Sequence, residues 1–318
     1  MTLLEHLDIT FGFCHERKSG KGEDSWGYAF HEAAGFMGVF DGCGGAGAQV
    51  YERMQGHTGA YLASRTVCDA FRNWFRRYST GNAQLGDGTL EKMIQEELQI
   101  AGGFEGQSTS RIRSKLMRKL PTTAAVWLTV PDDKQVYAVS ISAGDSRTYL
   151  LDYSGLKQIS KDDLRGEDAM SDIYNSAPMT NMISAEQPVS LHYAPLRLEN
   201  PCILLSATDG CFGYLGSPME FEYLLLDTMM TSQNAVQWQK KLEHAVEEVA
   251  GDDQSMAVAA FDYGSFAGMQ RAMAERHAAL SAMIEAFGDE NQRRWDAWEA
   301  YKQGYYSMAE GGVPEVEQ

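Results

Sequence analysis

Three aspartates at the edges of predicted strands are the residues of this sequence best placed to do chemistry. Asp41 follows the apolar run GFMGVF, Asp209 follows CILLSAT, and Asp252 is separated from QSMAVAAF by a single residue. Each has a glycine neighbour, which permits close approach of another backbone at that point. Because strand ends gather at one rim of a sheet, we expect the three carboxylates to share a cleft.

Further acidic residues occupy similar positions. Glu23 and Asp24 stand at the start of the strand predicted over SWGYAF, and Asp145 lies in the turn GDS. Oxygen-only ligands select Mg²⁺ or Mn²⁺ over zinc. Two such ions that share a bridging carboxylate acidify the water between them and hold a phosphoryl oxygen. The pattern predicts a binuclear centre for phosphate hydrolysis, although a single Asp-Gly pair is more typical of a solvated turn.

The helices and strands that must position these residues are predicted from the hydrophobic periodicity, which changes along the chain. Periodicity predicts a strand pair over 26–41, helices over 58–78, 89–100 and 110–119, an antiparallel meander over 124–160, a strand over 202–209, helices over 218–230 and 234–250, and a strand over 255–263. Residues 162–185 show no period and are predicted to form a long loop. This order is not the regular alternation of a parallel sheet and favours an α+β layered sandwich.

The C-terminal part has a different composition. Apolar residues from Phe266 to Phe287 recur at helical spacing, and a second amphipathic pattern carries Trp295, Trp298 and Tyr305. We therefore predict a first domain over 1–263 and a helical extension over 264–318, whose acidic end EGGVPEVEQ is disordered. Whether the extension regulates activity or mediates dimerisation stays open.

Charge and cysteine usage exclude several classes of protein. The 318 residues contain 27 Lys and Arg against 44 Asp and Glu, a net charge of −17, which repels nucleic acid. The 5 cysteines are scattered without a C-x-x-C spacing, so neither a disulfide framework nor a zinc site is predicted. No signal peptide and no membrane-spanning run is evident. We expect a cytoplasmic protein.

Taken in order, six segments resemble the metal-dependent serine/threonine protein phosphatases, the PPM or type 2C family, over roughly residues 8–262. They are GEDSWGYAF, VFDGCGGAG, PTTAAVWL, SAGDSRTYLL, LLSATDGCF and GDDQSMAVAAF. The resemblance implies that 1–263 is a phosphatase domain with a four-layer α-β-β-α fold, two antiparallel sheets flanked by helix pairs. It also implies two Mn²⁺ or Mg²⁺ ions in a cleft at one end. We expect a bacterial member of the family.

Carried onto this sequence, the resemblance also implies a ligand set. Asp41 would bridge both metals, Gly42 would supply its carbonyl oxygen, and Asp209 and Asp252 would ligate one metal. Asp252 is preferred to its neighbour because Ser255 then takes the family's Ser/Thr position.

The resemblance assigns outer roles to the remaining acids. Glu23 and Asp24 would contact metal-bound water, and Asp145 resembles the residue associated with a third, weaker metal in some members.

Two departures from the family pattern concern the substrate phosphate. Cys43 stands where eukaryotic members often carry a histidine proposed as general acid, and Ser19 stands where many members carry a phosphate-gripping arginine. Three nearby cations could substitute: Arg17, Lys18 and Lys21. A lysine holds phosphate only as a point charge. We therefore expect weak phosphate binding and a high KM.

The leading hypothesis is hydrolysis of phosphoserine and phosphothreonine on proteins, by in-line attack of a water activated between two metal ions. The partner would be a phosphoprotein substrate of a cognate serine/threonine kinase, with no nucleic acid and no membrane. Residues 162–185 correspond in place to the family's variable flap. The alternative is a catalytically weak pseudophosphatase that binds a partner, and a small phosphate ester is a further conceivable substrate.

Overall fold

Two five-stranded antiparallel sheets pack face to face at the centre of the protein. The structure is a computed structural model that describes residues 1–103, 117–132, 134–166, 168–175, 177–199, 201–288 and 290–307. Sheet I contains, in spatial order, β1 (Leu7–His15), β12 (Gln254–Phe261), β11 (Cys202–Ala207), β8 (Arg147–Asp152) and β9 (Gly155–Gln158). Sheet II contains β10 (His192–Leu198), β7 (Gln135–Ala143), β6 (Ala124–Asp132), β3 (Gly35–Phe40) and β2 (Ser25–Phe30). A short ribbon joins β4 (Val50–Tyr51) to β5 (His57–Thr58).

Helices cover the outer face of each sheet. Sheet II carries α2 (Gly59–Tyr78) and α3 (Thr89–Gly103). Sheet I carries α6 (Pro218–Met230) and α7 (Ala235–Val249), and α8 (Phe266–Phe287) and α9 (Asn291–Tyr305) pack onto the same side. Short helices are α1 (Leu3–His6), α4 (Ala169–Tyr174) and α5 (Asp209–Phe212). The expected α+β sandwich of two antiparallel sheets between helical layers is confirmed.

Three hydrophobic clusters fill the spaces between the layers. One lies between the sheets, one between sheet II and its helices, and one between sheet I and its helices. Trp127 lies in the central cluster, and its indole Nε1 donates a hydrogen bond to the Leu205 carbonyl on the opposite sheet at 2.9 Å. Strands buried on both faces read as continuous apolar runs, which is why QSMAVAAF and CILLSA show no alternation.

Helix starts follow the local signals of the sequence. The Thr58 hydroxyl accepts a hydrogen bond from the Tyr61 amide and caps α2. Ser217 caps α6 in the same way, with Pro218 at the first helical position, as predicted. Among the described residues, no helix is long and apolar enough to cross a membrane.

The prediction of one continuous meander over 124–160 is wrong. Strands β6 and β7 pair in sheet II, whereas β8 and β9 pair in sheet I, so the chain crosses from one sheet to the other at the turn that contains Asp145. Four apolar runs separated by turns have the same period in one sheet or in two. Only the packing of the sheets distinguishes the two arrangements.

Other differences are local. The predicted helix over 110–119 falls on 110–116, outside the described residues, and residues 117–119 are not helical. Strand β1 and strand β10 were not predicted, and β10 contains Pro195, which suits its place at the edge of sheet II. The segment 162–185, expected as a loop, contains the short helix α4.

The two C-terminal helices are present where periodicity placed them. Met269, Met273 and Leu280 of α8 and Trp298 of α9 are fully buried in the same cluster as the helices α6 and α7. The boundary of the first domain at residue 263 stays a prediction, and the expected disordered end lies outside the described residues from 308 onwards.

Candidate metal centre

A cleft of about 290 Å³ opens where strands of both sheets end. The predicted acids Glu23, Asp24, Asp41, Asp145 and Asp252 line it, together with Asp253. Asp209 lines an adjoining groove of about 400 Å³, and Asp145 lines both spaces. The structure therefore brings all of the sequence-predicted carboxylates to one region, although they are far apart in the chain.

The segment Asp41-Gly42 is held by its backbone. The Thr122 hydroxyl donates to the Asp41 carbonyl at 2.6 Å, and the Thr123 amide donates to the same oxygen at 2.9 Å. A Cβ on Gly42 would lie 2.6 Å from the Ala60 carbonyl oxygen, closer than any real contact. The glycine is thus required because the start of α2 packs directly on this turn.

The second Asp-Gly pair is equally constrained. Asp209 begins helix α5, and a Cβ on Gly210 would lie 1.8 Å from the Asp253 carbonyl oxygen. Only glycine lets the two acidic segments, Asp209-Gly210 and Asp252-Asp253, pack backbone to backbone.

Asp24 is the most deeply buried acid of the cleft, with 2% of its surface exposed. The Thr208 hydroxyl donates to its Oδ2 at 2.9 Å and accepts from the Ser255 amide at 2.9 Å. Sequence analysis missed Thr208, although its position immediately before Asp209 was a signal. The hydroxyl links the start of β2 to the ends of β11 and β12.

The adjacent acids Asp252 and Asp253 have different surroundings. Both carboxylate oxygens of Asp253 accept backbone hydrogen bonds, from the Arg17 amide at 2.8 Å and the Glu23 amide at 2.7 Å. Asp252 is exposed and accepts from the Asp253 amide at 2.9 Å. Asp253 therefore anchors the loop before β2, and Asp252 is the freer of the two to bind a ligand.

Glu23 and Cys43 also line the cleft. The Thr58 hydroxyl donates to the Glu23 carboxylate, which connects this acid to the start of α2. Burial raises the pKa of the Cys43 thiol well above its ordinary value, and the Asp41 charge raises it further. Cys43 is accordingly a thiol rather than a nucleophilic thiolate.

The acids of the cleft destabilise one another's charged forms. Burial, reinforced by the charges of Asp24, Asp209 and Asp145, raises the pKa of Asp41 well above its usual range. Burial likewise raises the pKa of Asp24 to about 8 and that of Asp145 to about 7, in both cases with a contribution from Asp209. A site with so much uncompensated acid is suited to a cation.

Arg147, whose charge acts on both Asp145 and Asp209, is already paired. Arg147, 2% exposed, forms a bidentate ion pair with Asp162 at 2.6 Å and lies over the Phe212 ring. Its guanidinium is therefore occupied by Asp162, although the residue also lines the groove that contains Asp209.

The donor set fits a hard divalent cation. Every acidic side chain of the cleft offers oxygen, and the buried Asp145 Oδ1 has no hydrogen-bond partner. Within the described residues, no group of three or more His, Cys, Asp or Glu side chains is arranged to hold a metal ion as it stands. Burial raises the pKa of Asp209, and a hydrogen bond with Asp41 opposes the shift. Ligation of a metal ion by both carboxylates would replace that bond.

The three predicted phosphate-binding cations lie outside the cleft. Arg17, Lys18 and Lys21 are exposed, and none of them lines it. Arg17 is adjacent, because its amide contacts Asp253. Sequence analysis missed Tyr214, an exposed side chain of the adjoining groove whose pKa is raised by burial and by the charge of Asp252, with Arg17 opposing.

Comparison with known proteins extends these observations. The family model for protein phosphatase 2C matches residues 11–247, and no curated protein sequence matches. A bacterial serine phosphatase shares 18% identity and a TM-score of 0.58, covering 81% of this chain and 98% of its own. Stp1 from Staphylococcus aureus shares 17% identity and a TM-score of 0.58, covering 81% of this chain and 97% of its own. The catalytic domain of PstP, solved with 2 manganese ions, shares 15% identity and a TM-score of 0.51, covering 80% of this chain and 97% of its own.

At these identities the solved structures show a common fold, and the family model carries the assignment. It ends before α8, so both C-terminal helices lie beyond the matched segment. The family model matches well over half of the sequence, and the acids of the cleft stand at strand ends of the two sheets. The chain therefore belongs to the protein phosphatase 2C family and is a metal-dependent protein serine/threonine phosphatase.

Proposed function

We propose that this protein removes phosphate from phosphoserine and phosphothreonine on proteins, using two Mn²⁺ or Mg²⁺ ions. Asp41, the Gly42 carbonyl, Asp209 and Asp252 would hold the ions. The observation that carries the proposal is the cluster of acids at the strand ends, which raise one another's pKa and have no free cation among the described lining residues.

The bound ions would supply an activated water and neutralise charge on the phosphoryl oxygens. The charges of Asp24, Asp209 and Asp145 all raise the pKa of Asp41. An acid that is close to several others suits a ligand shared by two ions. Glu23 and Asp24 would orient water through their carboxylates, and Asp145, with its unpartnered oxygen, would serve a third ion.

Substrate phosphate would be held from the rim. Arg17, Lys18 and Lys21 are the cations of the loop before β2, and Asp253 fixes that loop through the amides of Arg17 and Glu23. Because no Arg or Lys lines the described part of the cleft, phosphate binding is weak and KM is high.

The partner would be a phosphoprotein made by a cognate serine/threonine kinase. All five cysteines are free thiols, which suits the reducing cytoplasm. No observation favours the alternative of a partner-binding pseudophosphatase.

The test is turnover of metal-stripped protein with and without added Mn²⁺. Phosphoserine and phosphothreonine peptides and p-nitrophenyl phosphate should be hydrolysed only with the metal, and a matched phosphotyrosine peptide should be the poorest substrate. Absence of Mn²⁺-dependent turnover in folded protein that binds Mn²⁺ would contradict the proposal.

A neighbouring pair of variants tests the ligand assignment. Asp252→Asn should weaken Mn²⁺ binding about tenfold or more, as loss of a ligating charge implies. Asp253→Asn should change Mn²⁺ affinity less and KM more, because Asp253 holds the loop. Titration calorimetry with Mn²⁺ measures the first effect, and the reverse order would contradict the assignment.

A further inference from the structure

The C-terminal helix α9 makes direct polar contacts with α4, the short helix of segment 162–185. Trp298, fully buried, donates from its indole Nε1 to Asp168 Oδ2 at 3.0 Å. The hydroxyl of Tyr306, the residue after α9, accepts from the Ala169 amide at 2.8 Å. Trp295 packs on Tyr174 at 5.8 Å between ring centroids. Contacts from α9 and its C-terminal residue therefore reach both ends of α4.

Asp168 couples these contacts to the formation of α4 itself. Its Oδ1 caps the helix by accepting from the amides of Met170 and Ser171, while its Oδ2 accepts from Trp298. One carboxylate thus starts the helix and attaches it to α9. Since a helix of this length is unstable alone, α4 depends on such contacts for its position.

Helix α4 leads directly into a wall of the candidate site. Ile173, Asn175 and Ala177 line the groove of about 400 Å³ that also contains Asp145 and Asp209. A few residues later, Met179 lines the acidic cleft. The described residues 173–175 and 177–179, here called the wall, border both spaces, so a peptide that places its phosphate in the cleft would lie against them.

Other contacts hold α4 and the segment after it as well: Met170 is fully buried in the cluster of sheet I, and the Arg165 amide donates to the Pro178 carbonyl at 3.1 Å. Asp172 lies 3.8 Å from Arg147, whose bidentate partner is Asp162, and the Tyr174 hydroxyl donates to the Gly216 carbonyl at 2.9 Å. Tyr174 itself is exposed. The α9 contacts are therefore one of several sets that hold the wall, and they act at its α4 end.

We propose that α9 and Tyr306 form a positioning element for phosphoprotein binding: they hold α4, and through it the wall of residues 173–175 and 177–179, against the acidic cleft. This inference rests on the proposed phosphatase function. A phosphopeptide contacts the wall and depends on its position. A compact ester such as p-nitrophenyl phosphate needs only the metal centre and does not.

The variants are Tyr306→Phe, which removes one hydroxyl, and the double variant Trp298→Phe/Tyr306→Phe. Tyr223→Phe is the matched control, because its hydroxyl bonds Asp227 on α6, away from α4. Tyr306→Phe should raise KM for a phosphoserine peptide about two- to tenfold, the range expected for one hydrogen bond, and the double variant should raise it further. Both should leave p-nitrophenyl phosphate kinetics unchanged, and the control should behave as wild type.

Amide hydrogen exchange in the metal-free protein provides a readout independent of turnover. Exchange over residues 169–179 should be faster in both variants than in wild type and in Tyr223→Phe. Unchanged peptide KM together with unchanged exchange in Tyr306→Phe and in the double variant would overturn the inference. An equal loss on both substrates would also overturn it, since that indicates general destabilisation. Wild-type protein that is inactive on both substrates would instead overturn the proposed function, and with it this role of the wall. That outcome is distinct from the hydrogen-exchange result, which reports only on the contacts between α9 and α4.

Discussion

Glu222 and Asp41 are both acids withdrawn from water, but their partners differ in kind. Glu222, fully buried beneath α8 and α9, receives two hydrogen bonds of 2.6 Å from Arg276 and one of 2.5 Å from the Tyr301 hydroxyl. Asp41 has Asp24, Asp209 and Asp145 around it, which together with burial raise its pKa.

The difference separates structure from function within one chain. A buried acid with a complete set of donors stabilises packing, and its loss leaves an uncompensated cation. A cluster of acids without a cationic side chain among its described lining residues is costly to the fold, and is best explained by a bound cation that offsets the cost. Substitution should therefore affect stability at one place and activity at the other.

The largest effect is expected from Asp41→Asn. Turnover with Mn²⁺ should fall by about 100-fold or more, because several kcal/mol of transition-state stabilisation depends on the ions that Asp41 would hold. Unfolding of the metal-free protein in urea should require no less free energy than wild type, since one source of repulsion is gone. Asp152→Asn, at an acid paired with Lys157 outside the cleft, serves as the control. Turnover of Asp41→Asn within threefold of wild type would break the comparison.

Glu222→Gln should show the opposite pattern. We expect a loss of about 3 kcal/mol in the free energy of unfolding, because Arg276 and Tyr301 lose a buried anionic partner. Glu220→Gln, at the half-buried pair with Arg294, should lose less, about 1 kcal/mol. Chemical denaturation measures both. Mn²⁺ affinity of the folded Glu222→Gln protein should be unchanged, and a tenfold weaker affinity would show that the two regions are not independent.

The pH dependence of the metal-free protein sharpens the contrast at smaller amplitude. Because burial raises the pKa of Asp24 to about 8 and of Asp145 to about 7, the folded state holds protons that the unfolded chain releases near pH 4. Stability should therefore fall as pH rises from about 4 to about 8, by at most about 1.4 kcal/mol per pH unit for each titrating group. Thermal unfolding followed across this range measures the effect.

Saturating Mn²⁺ should reverse that trend, because ligation requires the carboxylates to be ionised. Stability of the metal-free protein that rises between pH 5 and 8 would mean that the acids of the cleft are compensated by donors, as Glu222 is.

The smallest effect is expected at exposed charges. Arg17→Ala should raise KM about two- to fivefold with little change in kcat, since a solvated cation contributes up to about 1 kcal/mol. Arg271→Ala, an exposed arginine on α8, is the matched control. Steady-state kinetics with a phosphoserine peptide decide between them, and equal KM values for the two variants would remove Arg17 from phosphate binding.

Much of the fold could be predicted from local patterns. The helices over 59–78, 89–103, 218–230 and 235–249 follow apolar periodicity and, for several, explicit caps. Strand β10 was not predicted, because Pro195 and a mixture of polar and apolar residues hide the pattern of an edge strand. Helix α4 was not predicted because it is only 6 residues long, and the Trp298 contact of its N-cap Asp168 comes from α9, more than 100 residues away in the chain.

The residue types of the site could be predicted from the sequence, but the contacts between them could not. Asp41 and Asp209 were recognisable from their Asp-Gly pairs, but the reason for each glycine is the backbone of another segment. Asp252 and Asp253 are chemically identical neighbours, and only the amides of Arg17 and Glu23 distinguish their roles. The cations of the loop were expected near phosphate, yet none lines the cleft.

The amino-acid sequence by itself determined the longer helices, most strands, the apolar faces and the presence of acids at strand ends, because these depend on short-range periodicity and on residue type. Tertiary structure decided which strands share a sheet, which acids lie together, and what holds α4 in place. Those properties depend on contacts between segments far apart in the chain, where packing of the two sheets, and not local propensity, sets the distances.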